Sequence, residues 1–111
     1  MAIEPGTTLY RYTVRGCKFH VSKGVVNICS GRKRVVLSDG DLRHRSVRCP
    51  RPEDLGVVRN NGFVVWLDDR DDELAKQIFI DFENHKINQL QKMIDSKREI
   101  VEMLTRLDTE D

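Results

Sequence analysis

The chain is poor in the residues that would place it in several large classes. Its three cysteines, Cys17, Cys29 and Cys49, are odd in number and show no CxxC spacing, which excludes a disulfide framework and suits a reducing compartment. No run approaches the roughly 18 apolar residues of a membrane span, and the opening "MAIEPGTTLYR" lacks the basic flank and apolar centre of a secretion signal. A soluble, cytoplasmic protein is expected, with no membrane partner. Aromatics make up 6% of the chain, and no GxGxxG, phosphate-loop or HExxH pattern occurs. With only three histidines available as bases, no Cys or Ser stands in a recognisable nucleophile setting. The expectation is therefore a protein that is not an enzyme, with no catalytic residue, metal or cofactor.

A chain of 111 residues with 39% hydrophobic residues fits one domain, 1–111, near the lower limit for a self-sufficient core. The charge is divided unevenly along it. Residues 1–60 carry 12 Lys+Arg against 5 Asp+Glu, while residues 61–111 carry 7 against 13, giving +7 and −6. A basic part, 1–67, thus precedes an acidic part, 68–111. Such asymmetry points either to an anionic partner for the first half or to attraction between neighbouring subunits.

From Thr7 to Leu67 short β-rich runs alternate with glycine turns. "TLYRYTV" alternates, although large residues on both sides leave its buried face open. "CKFHV", "VVNIC" and "RVVLS" follow, separated by "SKG" and "SGRK", and each glycine can supply a positive φ for a tight turn. Between Asp41 and Pro52, "DLRHRSVRCPRP" has Pro50 and Pro52 set against helix or central strand, so it reads as an ordered loop or irregular edge. "LGVVRNNGFVVWL" carries a hairpin signal at Asn60-Asn61-Gly62 and adds strands five and six. The whole predicts an α+β fold: a small antiparallel β-sheet or partly open barrel of about six strands, then a long C-terminal α-helix.

That helix begins where the period changes. Asp68 or Asp69 can cap it, Asp71, Asp72 and Glu73 favour its positive dipole end, and neither Gly nor Pro follows. Unbroken from about Asp71 to Leu107 it would span roughly 55 Å, far beyond a compact body of roughly 13 Å radius of gyration. Either it folds back near Asn84-His85 or Asp95-Ser96, or its second half packs on another subunit. The spacing of Ile87, Leu90, Ile94, Lys97, Val101 and Leu104 is that of a coiled-coil seam and favours a homo-oligomer, dimer or higher.

Candidate chemistry centres on charge. Cys17, His20, Cys29, His44 and Cys49 have poor spacing for zinc, and buried structural cysteines account for them better. The acidic run at Asp68–Asp72 is explained by the helix start. The arginine segment remains, with Arg32-Lys33-Arg34 in the turn before it. Arginine forks suit phosphate, and flanking prolines lower the ordering cost of binding; a solvated loop, or one paired with a neighbour's acidic helix start, is the other possibility. Under the phosphate hypothesis Arg43, His44, Arg45 and Arg48 hold the anion, Trp66 or Phe82 stacks a base, and Asn84 or His85 reads polar edges. Tyr10, Tyr12 and Phe19, interleaved with Arg11, Arg15 and Lys18, also suggest nucleic acid, against which stands the acidic second half. The expected partner is a phosphorylated, nucleotide-like small ligand, with polynucleotides or a host protein as alternatives.

A strand-rich front followed by "VVWLDDRDDELAKQIFIDFENHKINQLQKMIDSKREIVEML" resembles, in outline, the phage-encoded Thoeris anti-defence sponge family. The likeness is architectural and covers most of the chain without a diagnostic motif. It implies an oligomer in the host cytoplasm that sequesters a cyclic nucleotide or ADP-ribose-type immune signal without cleaving it.

Overall fold

The computed structural model describes residues 2–38, 45–59 and 62–107. Five strands form one antiparallel sheet: β1 (Thr8–Arg15), β2 (Lys18–Cys29), β3 (Arg32–Leu37), β4 (Ser46–Arg48) and β5 (Val64–Leu67), in the order β4-β3-β2-β1-β5. One helix, α1 (Asp72–Arg106), follows. The fold is α+β with an open, antiparallel sheet, as the pattern of the sequence implies.

The strand count differs from about six for identifiable reasons. β2 runs through "SKG" without turning. Gly24 pairs with Leu9 on one side and Leu37 on the other, and a Cβ there would overlap the Val35 side chain and stand 3.0 Å from Leu37 Cδ2. This glycine permits close approach of a neighbour inside a strand, a use that sequence does not distinguish from a turn. The turn at Ser30-Gly31 does need positive φ, 52° and 77°, as a type I′ hairpin demands. The arginine segment supplies the short edge strand β4. In the final hairpin only the second arm is a strand; in the first, Arg59 and Val64 exchange backbone hydrogen bonds of 2.8 and 3.1 Å as a single rung. Asn60 and Asn61 of that turn lie outside the described residues.

Both faces of the sheet are covered at β1 and β5, which is why β1 has large residues on each side. On the inner face Leu9, Val26, Val35, Leu37, Val64 and Trp66 form a core joined by Ile3, Val47, Cys49 and Leu55. On the outer face Tyr12, Val65 and Leu67 pack on Ala75 and Phe79 of α1. All four residues of β5 are buried, as a strand covered on both faces should be. After β4 a single 3₁₀ turn, Pro52–Asp54, carries the chain across to the far edge. There Leu55 bridges Trp66, and Gly56 N donates to the Trp66 carbonyl at 2.8 Å. This segment links the two edge strands of the open sheet.

α1 starts two or three residues later than Asp68 or Asp69 would set it. Asp71 is the cap, accepting from Leu74 N at 3.0 Å, because the Tyr12 hydroxyl holds this point: it accepts from Asp71 N at 3.0 Å and donates to Asp72 at 2.8 Å. The helix then continues for 35 residues through both proposed breaks, with Gln77–Asp81 and Gln91–Asp95 side chains bonded at helical spacing. Only Ala75 and Phe79 of it are buried. The described residues extend 72 × 29 × 29 Å with a radius of gyration of 21.1 Å, against about 13 Å for a compact chain of this length. No helix among them is long and apolar enough to cross a membrane.

Two predictions concern this framework. Gly24→Val should destabilise the fold by about 1–3 kcal/mol in denaturant titration, the cost of overpacking a filled site; an unchanged midpoint would contradict the close packing. Burial, and then the hydrogen bond to Asp72, push the Tyr12 phenol up to about 12 from an ordinary value of 10.0. The folded state thus favours the neutral phenol, so its contribution is complete below pH 10 and is lost as pH rises through 12. Tyr12→Phe should lower stability by about 1–3 kcal/mol near neutrality and flatten this alkaline loss, as a stability-against-pH series would show.

Candidate functional site

The cationic site is built at the β3–β4 edge. Antiparallel pairing sets Arg34 opposite Arg48, and the Arg34 guanidinium donates to the Ser46 hydroxyl and carbonyl, both at 3.0 Å, binding the edge strand to its neighbour. Beyond Arg48 the chain reads Cys49-Pro50-Arg51-Pro52, where two prolines restrict the backbone. Asp54 then anchors both ends of the crossing segment: Arg51 N donates to it at 3.2 Å and Arg59 pairs with it at 2.7 Å. The Arg51 amide, followed by Arg59, holds the Asp54 carboxyl below the usual range.

Two concavities of about 610 Å³ each flank this strip and share Arg48, Cys49, Pro50 and Arg51. The first is lined by Arg32, Lys33, Arg34, Arg48 and Arg51, with Ala2, Ile3, Cys49, Pro50 and Pro52 completing its wall; no carboxylate is among its described lining residues. The second adds Arg11 and Arg59 to Arg48 and Arg51 but includes Glu53 and Asp54, and its apolar wall is Val47, Val64 and Trp66. The first is therefore the more cationic. Arg48, which borders both, is exposed and makes no ion pair among the described residues. Such a cluster of planar forks suits an oxyanion with several acceptor oxygens.

The residues proposed from sequence separate into groups. Arg48 and Trp66 border one concavity. Trp66 is only 7% exposed and belongs to the inner core, so it contributes a wall and no open stacking face. Arg45 precedes β4, its carbonyl accepting from Leu37 N at 2.8 Å, and borders neither concavity. Phe82 lies on α1, where Lys86 Nζ stands 4.7 Å from its ring centre and Gly62 packs so closely that a Cβ would approach it to 2.8 Å. Asn84 and His85 are exposed on the same helix. None of these three borders the concavities, because α1 docks on the outer face while alternation sends Trp66 to the inner one. Arg43 and His44 lie outside the described residues.

Sequence pattern marks Arg51 and Arg32-Lys33-Arg34 as part of a basic stretch and Arg11 as interleaved with aromatics, but it does not bring them to one site. The clustering of Arg32, Lys33 and Arg34 is visible in it, but their place beside Arg48 depends on strand pairing. Nothing local marks Arg59. Cys17 is exposed in the β1–β2 turn, contrary to the expectation of buried cysteines, while Cys29 and Cys49 are half-buried. Among the described residues no three His, Cys, Asp or Glu side chains converge as metal ligands. No family model matches the chain, and comparison with curated proteins and with solved structures finds no match.

Burial raises the Cys49 thiol despite the opposing effect of Lys33, so less thiolate is available there at neutral pH. Cys17 should consequently react faster with iodoacetamide than Cys49 near neutral pH, as peptide mass analysis would show. An anion seated beside Arg48 should slow Cys49 further without altering Cys17. Equal rates for the two thiols would contradict the burial of Cys49.

Proposed function

We propose that this protein binds a phosphorylated, nucleotide-like small molecule at the cationic edge around Arg48 and acts by holding it, without cleavage. The observation that carries this is the convergence of Arg32, Lys33, Arg34, Arg48 and Arg51 on one concavity with no carboxylate among its described lining residues. Its volume lies within the range of small-ligand sites, and arginine forks engage phosphate bidentately. The one cysteine lining both concavities, Cys49, has its thiol pKa raised by burial.

The resemblance to anti-defence sponges supplies the ligand class to test, a cyclic nucleotide or ADP-ribose-type immune signal in the host cytoplasm. It also agrees with self-association through the apolar stripe on α1. Phosphates would lie against Arg48 and Arg51, with Trp66 closing the second concavity as an apolar wall. Phe82, Asn84 and His85 have no part in this arrangement. A second possibility is polynucleotide binding, favoured by the continuity of the two concavities across the Arg48–Arg51 strip, which makes one longer basic surface.

Thermal unfolding against cyclic nucleotides, ADP-ribose derivatives and short DNA and RNA, at two salt concentrations, distinguishes the two. A ligand of the folded state raises the midpoint. One small nucleotide should raise it by several degrees at both salt concentrations. Arg48→Glu should abolish the shift while leaving the unliganded midpoint nearly unchanged. Shifts with polynucleotides alone, vanishing at high salt, would transfer the site to nucleic acid. Absence of any shift would reject both.

A further inference from the structure

Beyond Phe79 the helix leaves its own sheet, yet its apolar pattern continues. Counting heptads from Ile80 puts Ile80, Ile87, Ile94 and Val101 at position a, with Leu90 and Leu104 at d. That is the seam of an associating helix. The stripe is wider than a seam, however. Met93, Ile100 and Leu107 occupy three successive g positions, so from 87 to 107 every a, d and g residue is apolar except Lys97. All of these apolar side chains are between 44% and 62% exposed.

Width decides how many neighbours such a helix takes. A two-stranded coil buries a and d alone, whereas helices of a bundle are apolar at a, d and one further position. The surface relief agrees. One groove, about 470 Å³, is lined by Ile94, Lys97, Arg98, Val101 and Glu102. Another, about 360 Å³, lies on the opposite flank between Lys92, Met93, Ser96, Lys97 and Ile100. They share Lys97 alone. One partner helix fills one of them and leaves Met93 and Ile100 in water. At on the order of 100 Å² for each half-exposed aliphatic side chain, the patch exceeds the few hundred Å² usual on a monomer. It approaches the roughly 800 Å² that one partner gives to a standard interface.

We infer that three or more copies of this chain associate through α1, each helix packing against two neighbours, one in each groove. The inference rests on the self-association contained in the proposed function and specifies its stoichiometry. A second copy is the occupant the pattern fits, since each chain brings the same wide aliphatic stripe. Lys97, on the ridge between the grooves, faces the bundle axis. A charge at a single core layer sets register and oligomer number at a cost in stability.

Size-exclusion chromatography with light scattering on the full chain at micromolar concentration tests this. The expected mass is at least three times the 12.9 kDa of one chain. A combined Met93→Gln, Ile100→Gln, Leu107→Gln variant should fall to a dimer, because a and d remain. A combined Ile94→Asp, Val101→Asp variant should fall to a monomer. Fluorescence of Trp66, which lies in the β core remote from these positions, verifies that each variant is folded. A wild-type monomer or dimer would overturn the inference, as would a folded g-position variant that keeps the wild-type mass. Nucleotide-dependent thermal shifts, measured separately and abolished by Arg48→Glu, would survive such an outcome, so failure of the stoichiometry is distinguishable from failure of the binding proposal.

Discussion

The protein depends on one junction, the phenol of Tyr12 at the start of the helix. Its ring is fully buried in the outer face of the sheet, and its hydroxyl accepts from the Asp71 amide while donating to the Asp72 carboxylate. The Tyr12 hydrogen bond, followed by Arg70, holds Asp72 below the usual carboxylate range, so the acceptor remains charged at neutral pH. The first three turns of helix, with Ala75 and Phe79 in the core and Phe82 against Gly62, hold a 35-residue element to the body. The direction of the helix, and with it the presentation of its unpartnered stripe, is set in those turns.

The same sheet separates two kinds of surface. Because strand side chains alternate, burying both faces of β1 and β5 directs the helix to one side and leaves the opposite side to the segment after β4. Cationic residues then collect at the open edge, where short β4 and proline-stiffened residues 49–52 cannot be continued as a ladder. The core is small, and the charges at this edge lie near or in water, where their mutual repulsion is screened. A cationic edge and a long helix with an exposed apolar stripe thus coexist in a chain whose net charge is only +1, since the basic and acidic parts lie on separate elements.

Much of the architecture is legible in short stretches of sequence. The change from short β runs to a helical period near Asp68 and the absence of Gly and Pro after Gly62 are local signals, and the helix obeys them. The type I′ turn at Ser30-Gly31 and the hairpin rung at Arg59 and Val64 are local as well. Gly24 illustrates where local signals stop. Its conformational freedom is evident from its type, but its purpose, making room for Val35 and Leu37, depends on two strands brought alongside it. The cap at Asp71 obeys the same logic, because several aspartates are chemically suitable and a tyrosine about sixty residues earlier selects among them.

For the site the division is sharper. Sequence alone determined that positive charge is concentrated in the first half, that Arg48 lies in a proline-stiffened segment, and that the long helix carries an apolar stripe. These are properties of composition and short-range order. Tertiary structure alone decided that Arg32, Lys33 and Arg34 border the same concavity as Arg48 and Arg51, that Arg11 and Arg59 join from the second, and that Phe82, Asn84 and His85 lie away from both. Strand register and the choice of sheet face are set by burial across the whole sheet, where a shift of one residue would invert every side chain. No stretch of sequence contains that information by itself.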